Sequence, residues 1–411
     1  MSNDKLAFPK DKIKILLLEN ISESAIKELR RHGYEQIECH TGAMSEDELI
    51  TKLPEVHILG IRSKTKITAK VLEHCPKMLC IGAFCIGTNQ IDLEAAKEKG
   101  IAVFNSPFSN TRSVAELVLA CAVFLIRRIP EKARAAYLGK WIKDSTNSHE
   151  IREKVLGIVG FGNIGSQVAA LAESFGMCVI YFDLEPKLSI GNAKPVDTLG
   201  ELLERSDIVS LHIPQSDSTA KLIGPKALKK MKKGSHLINY SRGTIVDIEA
   251  LREAIESGHI AGAAIDVFPV EPKTKGADFE TPLQGLENVI LTPHIGGSTE
   301  EAQWNIGSEV SSKIVNFVDE GKTVGSVSIP ELNLPRMEGT SRVLNVHRNV
   351  PGVIWKINQI IHERHLNVAG QYLKTADEIG YVVTDIEGSV KREDLVAISE
   401  VDATIKHRIL Y

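Results

Sequence analysis

The sequence predicts an α/β protein with two parallel-sheet units and a smaller C-terminal module. Three observations carry this prediction. Short apolar strands alternate with helical segments from residue 13 to residue 319, a glycine-rich turn begins at residue 160, and the order becomes strand, helix, strand, strand, helix, strand after residue 340. Regular alternation is typical of doubly wound parallel sheets, and the final order is typical of a ferredoxin-like module.

Length and composition limit the classes of protein that the chain can belong to. Its 411 residues suffice for two or three domains with separate cores, and a net charge of −4 without a basic block argues against nucleic acid as a partner. The longest apolar run, Leu117–Ile126, is too short to cross a bilayer. The charged N-terminal segment predicts no signal peptide, and the six cysteines contain no Cys-x-x-Cys pair. We therefore expect a cytoplasmic protein without a metal site.

The first hundred residues predict a small doubly wound unit that has no glycine-rich turn. An apolar strand at Ile13–Leu18 precedes a helix at Ser22–His32, which Ser22 caps. Further strands are expected at Val56–Ile61 and Met78–Ile81, and the long helix Thr111–Arg128 follows.

The most informative segment is Val155–Gly165, which reads VLGIVGFGNIG. A strand leads into a Gly-x-Gly-x-x-Gly turn at Gly160, Gly162 and Gly165, and we expect the helix Ser166–Phe175 after it. The first glycine allows the tight turn, the second lets the backbone approach a pyrophosphate, and the third lets the helix pack on the strand. The helix N-terminus favours the negative charge of that pyrophosphate.

Asp183 ends the next strand, VIYFD, 18 residues after Gly165. A carboxylate at this position can accept hydrogen bonds from the adenosine ribose hydroxyls and would repel a 2′-phosphate. The segment therefore predicts a Rossmann-type domain that binds NAD in preference to NADP.

Four more strands continue this unit, and the helix Ser298–Asp319 is expected to lead back to the first domain. The predicted strands are Asp207–His212, Ser235–Asn239, Ala261–Val267 and Asn288–Leu291. The nucleotide domain would then be inserted into the first domain. We predict a substrate-binding domain at 1–110, an NAD-binding domain at 111–297, the return and linker at 298–335 and a C-terminal module at 340–411.

The C-terminal module has its own predicted elements, the second helix lying near Glu393–Glu400. The other elements are Arg342–His347, Val353–His362, Asn367–Thr375, Tyr381–Ile386 and Thr404–Leu410.

Three residues that follow successive strands suit hydride transfer to or from a 2-oxo acid. Arg242 can bind a carboxylate bidentately, and His294 can exchange a proton near neutral pH. Glu271 can hydrogen-bond the other imidazole nitrogen and raise the histidine pKa. Each residue alone also fits an ordinary surface or loop position, but the three together, after a dinucleotide fingerprint, favour catalysis.

Several segments resemble those of the D-2-hydroxyacid dehydrogenases, in particular the bacterial type with a C-terminal ACT domain. The resemblance extends over essentially the whole chain. The segments are GIRSKT, FCIGTNQIDL, FNSPFSNTRSVAEL, VGFGNIG, NYSRGTIVD, AAIDVFPVEP and LTPHIGGST.

This resemblance implies a flavodoxin-like substrate domain around the inserted Rossmann-type domain. It implies that Arg242 and Glu271 are active-site residues and that His294 is the proton donor. It places residues of five segments around NAD, including the glycine turn. These are Gly160, Gly162, Asn163, Ile164, Gly165, Asp183, Tyr240, Ser241, Arg242, Asp266, His294, Ile295, Gly296 and Gly297.

A phosphate-bearing substrate is favoured by two cations in the first domain. Arg62 and Lys64 follow a predicted strand. Arg242 can bind the substrate carboxylate, so a second anionic group such as a phosphate needs a second cationic site. The alternative is a solvated basic loop. The resemblance assigns Arg62, Ser63 and Asn110 to substrate binding.

The resemblance also implies that the ACT domain binds L-serine at a subunit interface through His347, Asn349 and Asn367. Glu338–Gly339 stands where the bacterial pattern has a paired-glycine hinge, so we expect weaker inhibition. The second candidate hinge, Gly296–Gly297, is intact. Trp141 matches a residue at the interface between nucleotide domains, and an ordinary half-buried tryptophan is the alternative.

We therefore expect NAD-dependent oxidation of (R)-3-phosphoglycerate to 3-phosphooxypyruvate, the first step of L-serine biosynthesis, by a homotetramer that serine inhibits. Reduction of 2-oxoglutarate to 2-hydroxyglutarate is a potential side activity. One rival is a glyoxylate or hydroxypyruvate reductase, against which Arg62, Lys64 and the ACT module argue. The other is an NAD-sensing corepressor of the same fold, against which the ACT module argues.

Overall fold

The computed structural model describes residues 8–272, 276–388, 393 and 396–410. The chain divides into two compact units, which are Met1–Ser109 with Gln303–Tyr411, and Asn110–Ala302. Within the described ranges, no helix combines the length and apolarity that a bilayer crossing needs.

The first unit contains a five-stranded parallel sheet in the order β2-β1-β3-β4-β5. Its strands are β1 (Ile15–Leu17), β2 (Ile37–Cys39), β3 (Ile58–Ile61), β4 (Cys80–Ala83) and β5 (Ala102–Asn105). The helices between them are α1 (Glu23–Arg31), α2 (Glu46–Lys52), α3 (Ala69–Glu73) and α4 (Leu93–Glu98). This strand order is flavodoxin-like and confirms the fold that was predicted for this part of the chain.

The pairing of β1 with β3 determines which loops meet in this unit. The two strands are parallel, with Leu17 opposite Gly60. Their carboxyl ends therefore lie side by side, and the residues that follow β1 are next to those that follow β3. Leu18 continues the ladder by donating its N–H to the carbonyl of Gly60 at 2.9 Å.

The second unit is a seven-stranded parallel sheet in the order β12-β11-β10-β9-β6-β7-β8. Its strands are β6 (Val155–Val159), β7 (Cys178–Phe182), β8 (Lys194–Pro195), β9 (Ile208–Leu211), β10 (Ser235–Asn239), β11 (Ile260–Ile265) and β12 (Val289–Leu291). Its helices are α5 (Thr111–Ile126), α6 (Ile129–Tyr137), α7 (Asn163–Ser174), α8 (Leu199–Arg205), α9 (Pro225–Lys230) and α10 (Ile248–Glu256). The reversal of strand order at β6 confirms the Rossmann-type prediction, since ligands bind outside the carboxyl ends at such a point.

Helix α7 begins three residues earlier than predicted. Its N-cap is Gly162, so Asn163 and Ile164 already belong to the first turn. The glycine turn thus passes directly into the helix.

Helix α11 (Glu300–Glu320) is followed by the C-terminal module, which belongs to the first unit. The module contains β13 (Thr340–Arg348), α12 (Val353–Glu363), β14 (Val368–Ala376), β15 (Ile379–Glu387) and β16 (Thr404–Ile409). Its sheet is antiparallel in the order β14-β15-β13-β16, which is ferredoxin-like as predicted. Of the helix expected near Glu393–Glu400, Glu393 and Val396 are helical and Ala397–Glu400 forms a short 3₁₀ turn. Residues 389–392, 394 and 395 lie outside the described residues.

A buried ion pair ties the module to the preceding segment. Arg342 and Asp385 are both 0% exposed, and the guanidinium donates to both carboxylate oxygens at 2.7 Å. It also donates to the carbonyl of Glu320 at the end of α11 and to that of Pro335. Because every charge is matched by hydrogen bonds, the pair can be buried without the large penalty of an isolated charge.

Candidate active site

The glycine turn has the shape that a dinucleotide needs. Gly160 has a φ of +91°, and a Cβ there would lie 2.4 Å from the carbonyl oxygen of His212. A Cβ on Gly165 would lie 2.2 Å from the Gly160 carbonyl oxygen, so this glycine is needed for close packing of α7 on β6. At Gly162 a Cβ would meet nothing within 4 Å, which leaves open space at the N-cap of α7. A phosphate group fits there, beside N–H groups that no side chain caps within the part of the unit that is described.

Asp183 follows β7 and faces this turn. Its Oδ2 accepts a hydrogen bond from the Phe161 N–H at 2.8 Å, and its Oδ1 accepts one from the Glu185 N–H at 3.0 Å. The carboxylate is therefore fixed beside the glycine turn and keeps lone pairs for ribose hydroxyls. These residues fit NAD, which, when bound, supplies the acceptor or donor of a hydride.

Residues that follow β10, β11 and β12 form a polar cluster at the same edge of the sheet. His294 Nδ1 lies 2.8 Å from Glu271 Oε2, and Glu271 Oε1 accepts a hydrogen bond from the Phe268 N–H at 3.0 Å. The structure thus brings together two residues that the sequence places 23 positions apart. His294 has a φ of 54°, a conformation that is strained for a residue other than glycine.

The Glu271–His294 pair changes the pKa of both groups. The hydrogen bond to Glu271 raises the pKa of His294 above its usual value, although burial opposes this. Burial favours the neutral form of Glu271, but the hydrogen bonds from His294 and from the Phe268 N–H outweigh it and lower the Glu271 pKa. The charge of Arg242 lowers both pKa values. Glu271 therefore favours a protonated His294.

Asp266 holds the loop that carries His294. Its Oδ1 accepts hydrogen bonds from the Thr292 hydroxyl at 2.6 Å and from the Ile295 N–H at 2.8 Å. Its Oδ2 accepts one from the Gly296 N–H at 2.8 Å, and its carbonyl accepts one from the His294 N–H. The residue is 1% exposed. Asp266, predicted to lie around NAD, is thus buried beneath this loop, and its contact with NAD stays a prediction.

The Asn239 side chain holds the segment after β10 by hydrogen bonds, as Asp266 holds the loop of His294. Its Oδ1 accepts from both the N–H and the hydroxyl of Ser241, and its Nδ2 donates to the carbonyl of Arg242. Tyr240 is buried, and its hydroxyl lies 3.2 Å from the Cys121 sulfur and 3.3 Å from the Thr292 hydroxyl. Burial raises the Tyr240 pKa, so this hydroxyl stays neutral.

Sequence reasoning missed Asn239 and Thr292 as supports, although both lie in the quoted segments. Their positions at strand ends, next to predicted site residues, are the signal that could have found them.

The paired glycines after His294 are required by close packing. A Cβ on Gly297 would lie 2.3 Å from the Asn110 carboxamide nitrogen, and one on Gly296 would lie 3.1 Å from Asp266 Oδ2. Asn110, predicted to bind substrate, thus packs against Gly297, and its Oδ1 is buried with no hydrogen-bond partner among the described residues.

In the first unit, Arg62, Ser63 and Lys64 follow β3. Arg62 is half-buried, and the other two are exposed. Within the described ranges, the side chains of these three residues form no hydrogen bond or ion pair. The two cations are therefore available to an anionic ligand.

The predicted effector residues lie at two ends of the ACT sheet. His347 is buried opposite Gly380, and Asn349 donates through its side chain to the carbonyl of Asp377 at 3.0 Å. Asn367 instead donates to Glu387 at 2.5 Å, at the other end of β15. From 380 to 387 the strand spans about 23 Å at about 3.3 Å per residue. One copy of the module therefore does not bring the three residues together.

Among the residues described, no three or more histidine, cysteine or acidic side chains are grouped so that they could hold a metal ion.

Comparison with known proteins agrees with this geometry. Residues 119–296 match the model of the D-isomer specific 2-hydroxyacid dehydrogenase NAD binding domain, and residues 344–406 match that of the AHAS small subunit-like ACT domain. The chain belongs to the D-isomer specific 2-hydroxyacid dehydrogenase family, and its second unit is the NAD-binding domain.

Individual relatives are similar over most or all of the chain. D-3-phosphoglycerate dehydrogenase of Haemophilus influenzae is 50% identical over 408 residues, which cover 99% of this chain and 100% of that protein. A solved structure from Thermus thermophilus is 33% identical with a TM-score of 0.69, and covers 77% of this chain and 100% of that one. D-lactate dehydrogenase from Aquifex aeolicus, complexed with NAD and lactic acid, is 28% identical with a TM-score of 0.66, at the same coverage.

Proposed function

We propose that this protein oxidises the C2 hydroxyl of (R)-3-phosphoglycerate to 3-phosphooxypyruvate with NAD, in the cytoplasm, as the first step of L-serine biosynthesis. The observation that carries the proposal is the 2.8 Å contact of His294 with Glu271 at the carboxyl edge of the nucleotide-binding sheet. Full-length identity of 50% to a D-3-phosphoglycerate dehydrogenase supports the choice of substrate.

His294 accepts the hydroxyl proton in this reaction. Because Nδ1 is bonded to Glu271, the neutral imidazole carries its hydrogen on Nδ1 and keeps the Nε2 lone pair for the substrate. NAD, held by the glycine turn and Asp183, would supply the hydride acceptor, and His294 Nε2 accepts the hydroxyl proton as the C2–H bond breaks. In the reverse direction, the protonated imidazole returns that proton to the developing alkoxide.

Arg242 binds the substrate carboxylate in this proposal. Its backbone is fixed by Asn239, and its side chain is half-buried after β10, in the same unit as His294. A guanidinium suits a carboxylate because it can donate two parallel hydrogen bonds. For the first unit, the proposal assigns the phosphate group to Arg62, Ser63 and Lys64.

The ACT module binds L-serine in this proposal, and two copies are needed for each site. His347 and Asn349 lie at one end of β15 and Asn367 lies at the other, so a complete set requires the second end to come from another subunit. His347 Nε2 is buried and has no partner among the residues that are described, which leaves one polar atom for such a ligand.

A homotetramer follows if the nucleotide-binding units also pair. The segment after α6 supports this, because Tyr137 is 93% exposed and Trp141 is 88% exposed. This exposure differs from the half-buried tryptophan that was the alternative. Large exposed aromatic side chains are typical of interaction surfaces.

The proposal is tested by following NADH absorbance with purified full-length protein. We expect oxidation of 3-phosphoglycerate and reduction of 3-phosphooxypyruvate. The kcat/KM for 3-phosphooxypyruvate should be at least about tenfold above that for hydroxypyruvate, which lacks the phosphate; a tenfold ratio corresponds to about 1.4 kcal/mol. Equal or better reduction of hydroxypyruvate or glyoxylate would favour the rival reductase instead. The same assay with 2-oxoglutarate decides whether the side activity exists.

Regulation is tested in the same assay with L-serine. We expect inhibition in the wild type and its loss in Asn349→Ala, while activity without serine stays near normal. Sedimentation of both proteins measures the assembly, and a monomer that serine still inhibits would contradict the shared site.

A further inference from the structure

Glu19 is a buried carboxylate that has no part in the mechanism above. It stands just after β1 and is 7% exposed. Its Oε1 accepts hydrogen bonds from the N–H groups of Arg62 at 3.2 Å and Thr65 at 2.8 Å, and its Oε2 accepts one from the Lys64 N–H at 3.0 Å. All three donors belong to the loop that carries the two cations. A buried carboxylate is costly without such bonds, so its place here is specific.

The backbone at Glu19 is strained in order to direct the side chain to this loop. Glu19 has a φ of 63° and Asn20 a φ of 53°, so two successive residues other than glycine are left-handed. This conformation is unfavourable for a residue that carries a Cβ, although asparagine adopts it more readily than glutamate. Hydrogen bonds to the strand-end region of β2 hold the turn, because Glu19 N–H donates to the Gly42 carbonyl and Asn20 N–H to the His40 carbonyl. Strain of this kind concentrates at functional sites.

A second buried side chain holds the same loop through a carbonyl. Gln90 is 8% exposed, and its Nε2 donates to the Arg62 carbonyl at 2.7 Å. The backbone N–H and carbonyl of Arg62 are thus both bound by buried side chains, while its guanidinium has no bonded partner within the described chain. Thr65, at the end of the loop, is 1% exposed and anchors it in the core.

We propose that Glu19 is a positioning residue for the phosphate group of the substrate. It accepts hydrogen bonds from the backbone N–H groups of Arg62, Lys64 and Thr65 and so holds the side chains of Arg62 and Lys64 towards solvent, where an anion can reach them. Its negative charge also occupies the N–H cluster, which would otherwise attract an anion itself. These three N–H groups are then unavailable to the phosphate, which binds the side chains of Arg62 and Lys64 in this proposal. This inference rests on the proposed function, since it assumes a phosphorylated substrate.

Glu19→Gln tests the inference, because a carboxamide offers one acceptor oxygen and turns an NH₂ group towards backbone donors. We expect KM for 3-phosphooxypyruvate to rise about tenfold, while kcat and the KM values for hydroxypyruvate and NADH change less than about twofold. The matched control is Glu48→Gln, which removes a carboxylate that accepts the Ser45 N–H at 2.7 Å in the cap of α2 and whose hydrogen-bond partner is Ser45, not the loop of Arg62. Glu48→Gln should leave every KM unchanged.

A double variant separates positioning from general stability. In an Arg62→Ala background, Glu19→Gln should raise KM for 3-phosphooxypyruvate much less than in the wild type, because the side chain that it positions is absent. If Glu19→Gln does not give folded protein, Glu19→Asp replaces it in the test. Aspartate keeps the negative charge, but its shorter side chain cannot accept hydrogen bonds from all three backbone N–H groups. We expect it to raise the same KM by a smaller factor.

The inference is overturned if KM rises equally for 3-phosphooxypyruvate and hydroxypyruvate, if it does not rise in a folded Glu19 variant, or if the two substitutions are additive. Failure of the proposed function looks different, because the wild type itself would then show no preference for the phosphorylated substrate.

Discussion

Two loops, one in each unit, are each held by a single buried carboxylate that accepts three hydrogen bonds. Asp266 holds the loop of His294, and Glu19 holds the loop of Arg62. The side chains that the loops present differ. The His294 imidazole is already hydrogen-bonded to Glu271, whereas the Arg62 guanidinium has no hydrogen-bond partner in the described part of the chain. A group that transfers a proton must be oriented before the substrate arrives, while a group that binds an anion must be left available for it.

Among the substitutions proposed here, removal of the His294 imidazole should have the largest effect on activity. His294→Asn should lower kcat by about 10² to 10⁴, the usual range for loss of a general acid–base residue. The glycine turn and Asp183 are untouched, so NADH binding, measured by fluorescence, should stay near normal. Turnover close to that of the wild type would remove His294 from its role.

Loosening the first loop should have the next largest effect. Asp266→Ala leaves the Ile295 and Gly296 N–H groups without their acceptor, which should destabilise the protein by about 1–3 kcal/mol. Displacement of His294 should lower kcat by up to about 10². Thr292→Val removes only one donor and should cost less in both measurements. Equal effects of the two variants on Tm and kcat would mean that Asp266 does not hold the loop that carries His294.

The second loop should respond through KM. Arg62→Ala should raise KM for 3-phosphooxypyruvate about tenfold or more, because a charged hydrogen bond is worth about 1.5–3 kcal/mol, with kcat at saturation nearly unchanged. Lys66→Ala, which removes an exposed charge from the same segment, is the control. If hydroxypyruvate suffers the same loss, Arg62 serves a carboxylate or the fold.

The smallest effect should be a shift of the pH profile. Glu271→Gln removes the charge that raises the His294 pKa, so that pKa should fall. Reduction needs protonated His294 and declines as pH rises through its pKa, so the declining limb should move to lower pH. Oxidation needs neutral His294, and its rising limb should move the same way. Glu287→Gln, at an exposed position in the same unit, should leave both profiles in place, and an unmoved profile in Glu271→Gln would show that the pair is not coupled.

The two buried carboxylates, Asp266 and Glu19, also differ in how far their roles could be predicted from the sequence. Asp266 follows a long apolar strand, and the family resemblance places it at the site. Glu19 meets its loop across 43 to 46 residues, through the pairing of β1 with β3, and no local pattern marks that contact. Both parallel sheets could be predicted because apolar strands alternate with helices. Strands β2 and β8 could not, because each is only three residues or fewer and largely exposed. The buried strand β5, only four residues long, was also not predicted.

The residues that were predicted to bind the effector show a second limit of sequence reasoning. His347, Asn349 and Asn367 could be named from motifs, but the motifs do not say which end of a strand each residue occupies. Strand register settles that, since His347 is opposite Gly380 while Asn367 bonds to Glu387.

The buried pair of Arg342 and Asp385 limits how such a chain can be recombined. The guanidinium completes the hydrogen bonding of carbonyls at Glu320 and Pro335, which lie before the module begins. If a chimeric protein were joined at residue 339, Arg342 would come from one parent and the carbonyls of Glu320 and Pro335, which accept its hydrogen bonds, from the other. An ACT module transplanted from another protein could replace this one only if it brought an arginine at the same position of its first strand, together with a carboxylate on the neighbouring strand. The exchangeable segment thus begins at the end of α11, about twenty residues before the first strand of the module.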